Sequence, residues 1–113
     1  MLILHYIMEK PLIFITNDDG IFAPGLRVLI AAVSQLGEIV VVAPEKAQSG
    51  MSHAVTLVDP VRINKIITNN GHIEYSCTGT PADCVKIGLH KVLKRKPDII
   101  LSGINHGSNA SVN

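Results

Sequence analysis

The sequence predicts an α/β fold with a mainly parallel sheet, and three observations support this class. Short, continuous apolar runs alternate with segments of helical period, as in βαβ units. A polar cluster follows each of the three longest runs. No internal repeat or low-complexity stretch interrupts the pattern. The 113 residues form at most one small domain, so we expect a large α/β fold to be incomplete here.

The first βαβ unit is predicted within residues 11–44. The run PLIFIT, residues 11–16, is rich in β-formers and is typical of a strand buried on both faces. Residues 25–37 have a helical period, with Gly37 as the expected C-cap, and residues 38–44 form the second strand. The helix residues expected to face the core are Leu26, Leu29, Ile30, Val33 and Leu36.

The second half of the chain departs from this pattern before returning to it. Residues 54–77 contain breaks at DP and NNG, which predicts an antiparallel excursion with a tight turn at Asn70 and Gly71. A helix then begins with Thr80 as N-cap and Pro81 at N1, and residues 97–103 form a third parallel strand. The residues expected to be buried by this helix are Val85, Leu89 and Val92.

The three polar clusters are TNDDG, PEKAQSGMS and SGINHGSN, and each follows a predicted parallel strand. Ligands bind outside the carboxyl ends of such strands, so we expect the clusters to meet there. Asp18 and Asp19 are adjacent, and like charges this close repel each other unless a cation lies between them. Mg²⁺ or Mn²⁺ would suit such a site, with neutral oxygens from Ser49, Asn105 and Asn109 as further ligands. A plain Asx turn explains the pair equally well at this stage.

Several other polar residues in the predicted loops have both a functional and a structural interpretation, and the functional one is weaker than for the aspartate pair. Ser49 and Gly50 suit an anion-binding backbone nest or an ordinary loop. His53 and His106 suit acid, base or phosphate contacts, although loop histidines are more often solvated or structural. Lys46 could attract phosphate, although a plain surface lysine explains it more simply. The sequence contains neither a GxGxxG motif after the first strand nor a Walker A lysine, which argues against dinucleotide and P-loop proteins.

Composition limits the compartment and the partners. The net charge of +1 gives no electrostatic reason to expect DNA, RNA or an anionic membrane. Cys77 and Cys84 form no CxxC pair, so we expect reduced core thiols in a cytoplasmic protein. The apolar opening, residues 1–7, falls short of the roughly 20 residues that span a bilayer. We treat residues 1–9 as an extension, with Met8 as a plausible natural start.

Four ordered motifs resemble one family: FITNDDGIFAPGL, VVAPEKAQSGMSHAVTL, CTGTPADCVKIGL and PDIILSGINHGSN. From about residue 12 onward the chain is similar to the SurE (survival protein E) family of metal-dependent 5′/3′-nucleotidases. The resemblance implies a Rossmann-like three-layer (αβα) core and a phosphomonoesterase that acts on nucleoside monophosphates. It also implies one divalent metal, Mg²⁺ or Mn²⁺, per subunit.

The resemblance assigns the site residue by residue. The metal ligands would be Asp18, Asp19, Ser49 and Asn105, and either aspartate would orient the attacking water or accept its proton. Secondary phosphate contacts would come from Asn17, Gly50 and Ser102.

The resemblance also exposes a difference in length. Family members are roughly twice as long and form dimers or tetramers through a C-terminal arm that these 113 residues do not contain. We therefore regard residues 1–113 as a single incomplete domain. Two alternatives stay open: a non-catalytic fragment that binds metal and nucleotide, and a plain structural α/β domain.

Overall fold

A computed structural model describes residues 10–47 and 60–106. The described strands are β1 (Leu12–Thr16), β2 (Glu38–Pro44), β3 (Ile63–Lys65), β4 (Ile73–Cys77) and β5 (Ile99–Ser102). They form one sheet in the order β3-β4-β2-β1-β5. Helix α1 (Pro24–Val33) follows β1, and helix α2 (Pro81–Ile87) follows β4 and continues as a wider π-helical segment, Gly88–Val92. This arrangement confirms the predicted α/β fold.

The two helices cover opposite faces of the sheet, which gives the three-layer core. Alternate residues of a strand point to opposite faces. Ile13 and Ile15 of β1 accordingly pack with Leu26 and Ile30 of α1. Phe14, also in β1, packs on the other face with Cys84 of α2. All five β1 residues are buried, as expected for a strand covered on both sides.

The strand Ile73–Cys77 corrects one prediction. The antiparallel excursion predicted within residues 54–77 is confirmed in part: β4 pairs antiparallel with β3, but it also pairs with β2 in parallel from Val40↔Ile73 to Pro44↔Cys77. Among the strands within residues 10–47 and 60–106, β3 alone runs antiparallel to its neighbour, along the outer edge of β4. Within β4, Glu74 is fully buried and paired with Arg27.

Details of the helices also differ from expectation. Helix α1 ends at Val33 with Ser34 as its C-cap, so the prediction of Gly37 as C-cap is wrong. Gly37 instead packs against Pro11, where a Cβ would collide with the carbonyl oxygen. The connecting turn leaves Leu36 62% exposed. After α2, Leu89 is 40% exposed, so its predicted burial is also wrong.

The Thr80 and Pro81 predictions are confirmed by the start of α2. Thr80 Oγ1 accepts a hydrogen bond from the backbone N–H of Asp83, whose side chain in turn accepts one from the Thr80 N–H. This is a capping box, in which two backbone donors of the first turn are satisfied.

Cys77 and Cys84 are free and buried, as predicted. A hydrogen bond with Cys77 raises the pKa of the Cys84 thiol, and burial raises it further, so this thiol is protonated at neutral pH. No helix within residues 10–47 or 60–106 is long and apolar enough to cross a membrane.

Candidate active site

The loop after β1, residues 17–23, is shaped by Asn17. This side chain is fully buried, its Nδ2 donates to the carbonyl of Gly20 at 2.8 Å, and its Oδ1 accepts from the Gly20 N–H at 3.2 Å. Gly20 has a φ of 113°, a conformation that residues with a Cβ rarely adopt. Asn17 and Gly20 therefore close a tight turn that presents Asp18 and Asp19 at the carboxyl edge of the sheet.

The loop after β5 meets this turn. The backbone N–H of Asp18 donates to Asn105 Oδ1 at 2.8 Å, and Asn105 Nδ2 lies 3.4 Å from Asp18 Oδ2. The backbone N–H of His106 donates to Asp19 Oδ2. These contacts join residues 87 positions apart, because β1 and β5 are parallel neighbours with Thr16 opposite Ser102. The predicted meeting of the first and third clusters is confirmed.

Gly25 allows the loop after β5 to approach the start of α1. A Cβ at this position would collide with the carbonyl oxygen of Ile104, and the Ile104 N–H lies 3.4 Å from the Gly25 carbonyl. Sequence reasoning placed Gly25 at the start of the helical segment and gave it no role in the site. The Pro24-Gly25 pair, which follows a polar cluster and begins a helix, was the sequence signal that another backbone segment could approach closely here.

The local electrostatics explain how two adjacent carboxylates coexist. Each Oδ2 atom faces an N–H group, one from the Asn105 amide and one from the His106 backbone. Hydrogen bonds to the ionised form offset part of the mutual repulsion. Sequence reasoning considered the His106 side chain, whereas its backbone makes the contact, which any non-proline residue at that position can supply.

The donor chemistry of this edge fits a hard divalent cation. A carboxylate offers about four lone-pair positions and an amide oxygen two, so the hydrogen bonds above leave coordination capacity on all three side chains. Within residues 10–47 and 60–106, no three His, Cys, Asp or Glu side chains cluster. The described residues at this edge offer a cation two carboxylates and an amide oxygen, a donor set that suits Mg²⁺ or Mn²⁺.

A buried hydroxyl precedes the aspartate turn. In the part of the chain that the structure describes, Thr16 Oγ1 has no hydrogen-bond partner although the residue is only 3% exposed. Buried polar atoms are normally paired, so an unpaired one is compatible with a bound water or ligand atom. It lies at the end of β1, directly before Asn17.

The remaining predicted residues fall into two groups. Ser102 is exposed at the end of β5, beside the cluster, and its phosphate contact stays a prediction, as does that of Asn17. The backbone of Lys46 packs close to Gly20, so the start of the second cluster also reaches this edge. The predicted residues that lie outside the described ranges are Ser49, Gly50, His53 and Asn109.

Comparison with known proteins identifies the family. The family model described as "Survival protein SurE" matches residues 13–113. The chain belongs to the SurE family. Among SurE relatives, a protein from Flavobacterium psychrophilum named 5′-nucleotidase SurE is 55% identical over 107 residues, 94% of this chain and 42% of the relative. A 5′-nucleotidase SurE from Flavobacterium johnsoniae is 57% identical over 106 residues, 93% of this chain and 41% of the relative.

A solved structure supports the same assignment. The crystal structure of the SurE protein from Aquifex aeolicus is 44% identical to this chain and superimposes with a TM-score of 0.71. The match covers 88% of this chain and 39% of that protein. The chain thus spans about two fifths of the length of the SurE relatives it matches.

Proposed function

We propose that this chain is the N-terminal part of a nucleoside monophosphate phosphohydrolase that uses a divalent metal. One observation carries the proposal: Asp18, Asp19 and Asn105 are drawn together by hydrogen bonds at the carboxyl edge of the sheet. The names of SurE relatives as 5′-nucleotidases support the reaction class.

The residues at this edge would hold Mg²⁺ or Mn²⁺, one ion per subunit. Asp18, Asp19 and Asn105 would provide ligands, and Ser49 would provide a fourth from outside the described ranges. When bound, such an ion neutralises charge on a phosphoryl group and lowers the pKa of water. Two carboxylates nearly cancel the charge of the ion, so a phosphate dianion meets little repulsion.

The chain's own residues would orient the reactants. Asp19 is half-buried and oriented by the His106 N–H, whereas Asp18 is exposed. Either carboxylate would accept a proton from the attacking water. Ser102 and the Gly50 backbone would contact the phosphate, while Asn17 would act through the turn that it closes.

A second candidate is a fragment that binds metal and nucleotide without turning it over. The observation that favours it is coverage, since the chain spans only 41–42% of its curated relatives. Further phosphate contacts and the assembly of dimers or tetramers would then depend on the part of the family fold that this sequence does not contain.

The compartment and partners follow from the same proposal. Two free, buried thiols and the net charge of +1 support a cytoplasmic protein whose partner is a small nucleotide rather than DNA or a membrane.

Phosphate release from 5′-AMP and 3′-AMP tests the proposal, measured with Mn²⁺, with Mg²⁺ and with chelator. We expect metal-dependent release by the wild-type chain, loss in Asp19→Asn, and full retention in Asp98→Asn, which removes a carboxylate distant from the cluster. Mn²⁺ titration of the same variants separates the two candidates. If the wild-type chain binds Mn²⁺ but releases no phosphate, and Asp19→Asn abolishes Mn²⁺ binding, the chain is the non-catalytic fragment. If Asp19→Asn binds Mn²⁺ as well as wild type, both candidate functions are refuted.

A further inference from the structure

An ion pair between the buried Glu74 and the partly exposed Arg27 lies outside the cluster of predicted ligands. Glu74, in β4, is 0% exposed, and its Oε1 lies 2.8 Å from Arg27 Nη2. Arg27 Nη1 lies 3.3 Å from Oε2, and Asn70 Nδ2 donates to the same oxygen at 2.9 Å. Removing the Glu74 carboxylate from water is costly even when the group is paired, and an apolar residue of similar volume is often equally stable at such a position. Stability alone therefore gives a weak reason for this pair.

The Arg27 guanidinium has a second contact that leads to the aspartates. Its Nη2 donates to the carbonyl of Ile21 at 2.8 Å. Ile21 is fully buried, and its own N–H donates to Pro44 at the end of β2 at 2.7 Å. Ile21 lies two positions after Asp19, so one guanidinium ties the loop of residues 17–23 to a fixed carboxylate in β4.

The geometry of Arg27 is unfavourable in one respect. Its Nε is buried without a partner among the described residues. A buried unpaired donor opposes folding, so the position is not optimised for stability. In folded proteins, unfavourable local features such as an unpaired buried donor are found mainly at functional sites.

We propose that Arg27 and Glu74 are positioning residues for the cation site, an inference that rests on the proposed function. Glu74 fixes the guanidinium, the guanidinium holds the Ile21 carbonyl, and the loop is thereby held with both aspartates against the β5 segment. Neither residue contacts the cation or the substrate. The pair sets the affinity for a divalent cation by preorganising its ligands.

Mn²⁺ affinity, measured by isothermal titration calorimetry on the 113-residue chain, tests this role. We expect Arg27→Met to weaken Mn²⁺ binding about tenfold, since residues that orient metal ligands typically contribute that much. Arg27→Lys keeps the positive charge, but a single ammonium group cannot bond Glu74 and the Ile21 carbonyl together as the guanidinium does. We therefore expect a loss of Mn²⁺ affinity that is smaller than in Arg27→Met. Arg95→Met is the matched control, because Arg95 also pairs with two carboxylates, Glu38 and Asp98, and donates to the Lys10 carbonyl. It should bind Mn²⁺ within about twofold of wild type, because it makes no contact with the aspartate loop.

Circular dichroism at the titration temperature confirms that each compared variant is folded. If Arg27→Met does not fold, the double variant Arg27→Met/Glu74→Met replaces it, since an apolar pair leaves no unpaired buried charge. Folded variants with wild-type Mn²⁺ affinity would overturn the positioning role.

The reference variant Asp19→Asn keeps this test separate from that of the proposed function. A wild-type chain that does not bind Mn²⁺, or an Asp19→Asn variant that binds it equally well, refutes the proposed function itself. Loss in Asp19→Asn together with equal affinity in Arg27→Met and Arg95→Met refutes only the positioning inference.

Discussion

Strands β1 and β5 are parallel neighbours of similar apolar sequence, yet their burial differs. Every residue of β1 is buried, whereas Ile99 and Ile100 of β5 are each 48% exposed. The register Phe14↔Ile100 places a fully buried side chain directly beside a half-exposed one. Helices α1 and α2 pack over β1, while β5 forms the edge of the described sheet. Burial thus depends on what packs against a strand, and an apolar run alone does not determine it.

The largest effect that tests this contrast is expected at the register pair itself. Phe14→Ala leaves a cavity between the sheet and α2 and should lower the free energy of unfolding by about 3–5 kcal/mol. Ile100→Ala should cost about 1 kcal/mol or less, because this side chain keeps much of its contact with water. Urea unfolding followed by circular dichroism measures both changes.

Equal losses in the two variants would contradict the contrast between β1 and β5. They would mean that β5 is covered in solution by another surface. Sedimentation at increasing protein concentration would then detect self-association through the exposed edge.

A smaller effect is expected at the N-terminus of α2, the helix that covers one face of β1. Thr80→Ala removes the acceptor for the Asp83 N–H and should destabilise the fold by about 1 kcal/mol. Thr80→Ser retains the hydroxyl and should recover most of that loss in urea unfolding. A Thr80→Ser variant as unstable as Thr80→Ala would attribute the effect to the methyl group rather than to the cap.

The smallest effect is expected at Asp98, which links the start of β5 to β1. The Leu12 N–H donates to Asp98 Oδ2 at 2.7 Å and, together with Arg95, lowers the pKa of this carboxyl below its ordinary value of 3.8. A lowered folded pKa means that the bond contributes stability above pH 3.8 and loses it as the pH falls through the folded value. Asp98→Asn should therefore be slightly less stable than wild type at pH 7.

Urea midpoints of wild type and Asp98→Asn at pH 7 and pH 3 check this sign. The difference between the two proteins should shrink at pH 3, because below the ordinary pKa of 3.8 the unfolded chain binds this proton more readily than the folded protein does. A difference that stays constant with pH would show that the bond to Leu12 does not depend on ionisation.

Much of the fold was predictable because local signals agreed with the tertiary structure. Continuous apolar runs identified β1, β2 and β5, and the sequence TPAD identified the start of α2. The parallel pairing of β4 with β2 was not predicted, because the breaks at DP and NNG indicated antiparallel strands alone. The burial of the polar Glu74 in this strand is explained by its pairing with Arg27. A partner 47 positions away leaves no local signal in the sequence.

The candidate site also has a part that the sequence predicts and a part that it does not. The meeting of Asp18, Asp19 and Asn105 follows from parallel topology, which places the carboxyl ends of neighbouring strands together. The roles of the His106 N–H and of Gly25 depend on the path of the backbone in three dimensions. Residue type alone therefore could not identify them.

The 87-position separation of Asp18 and Asn105 has a consequence for biosynthesis. At ribosomal rates of about 5–20 residues per second, the nascent chain carries the aspartate loop for roughly 4–17 seconds before Asn105 is added. The β5 segment must then dock beside β1 before the two loops meet. Until that docking the aspartates lack their partner, so assembly of the cluster reports the pairing of β5 with β1.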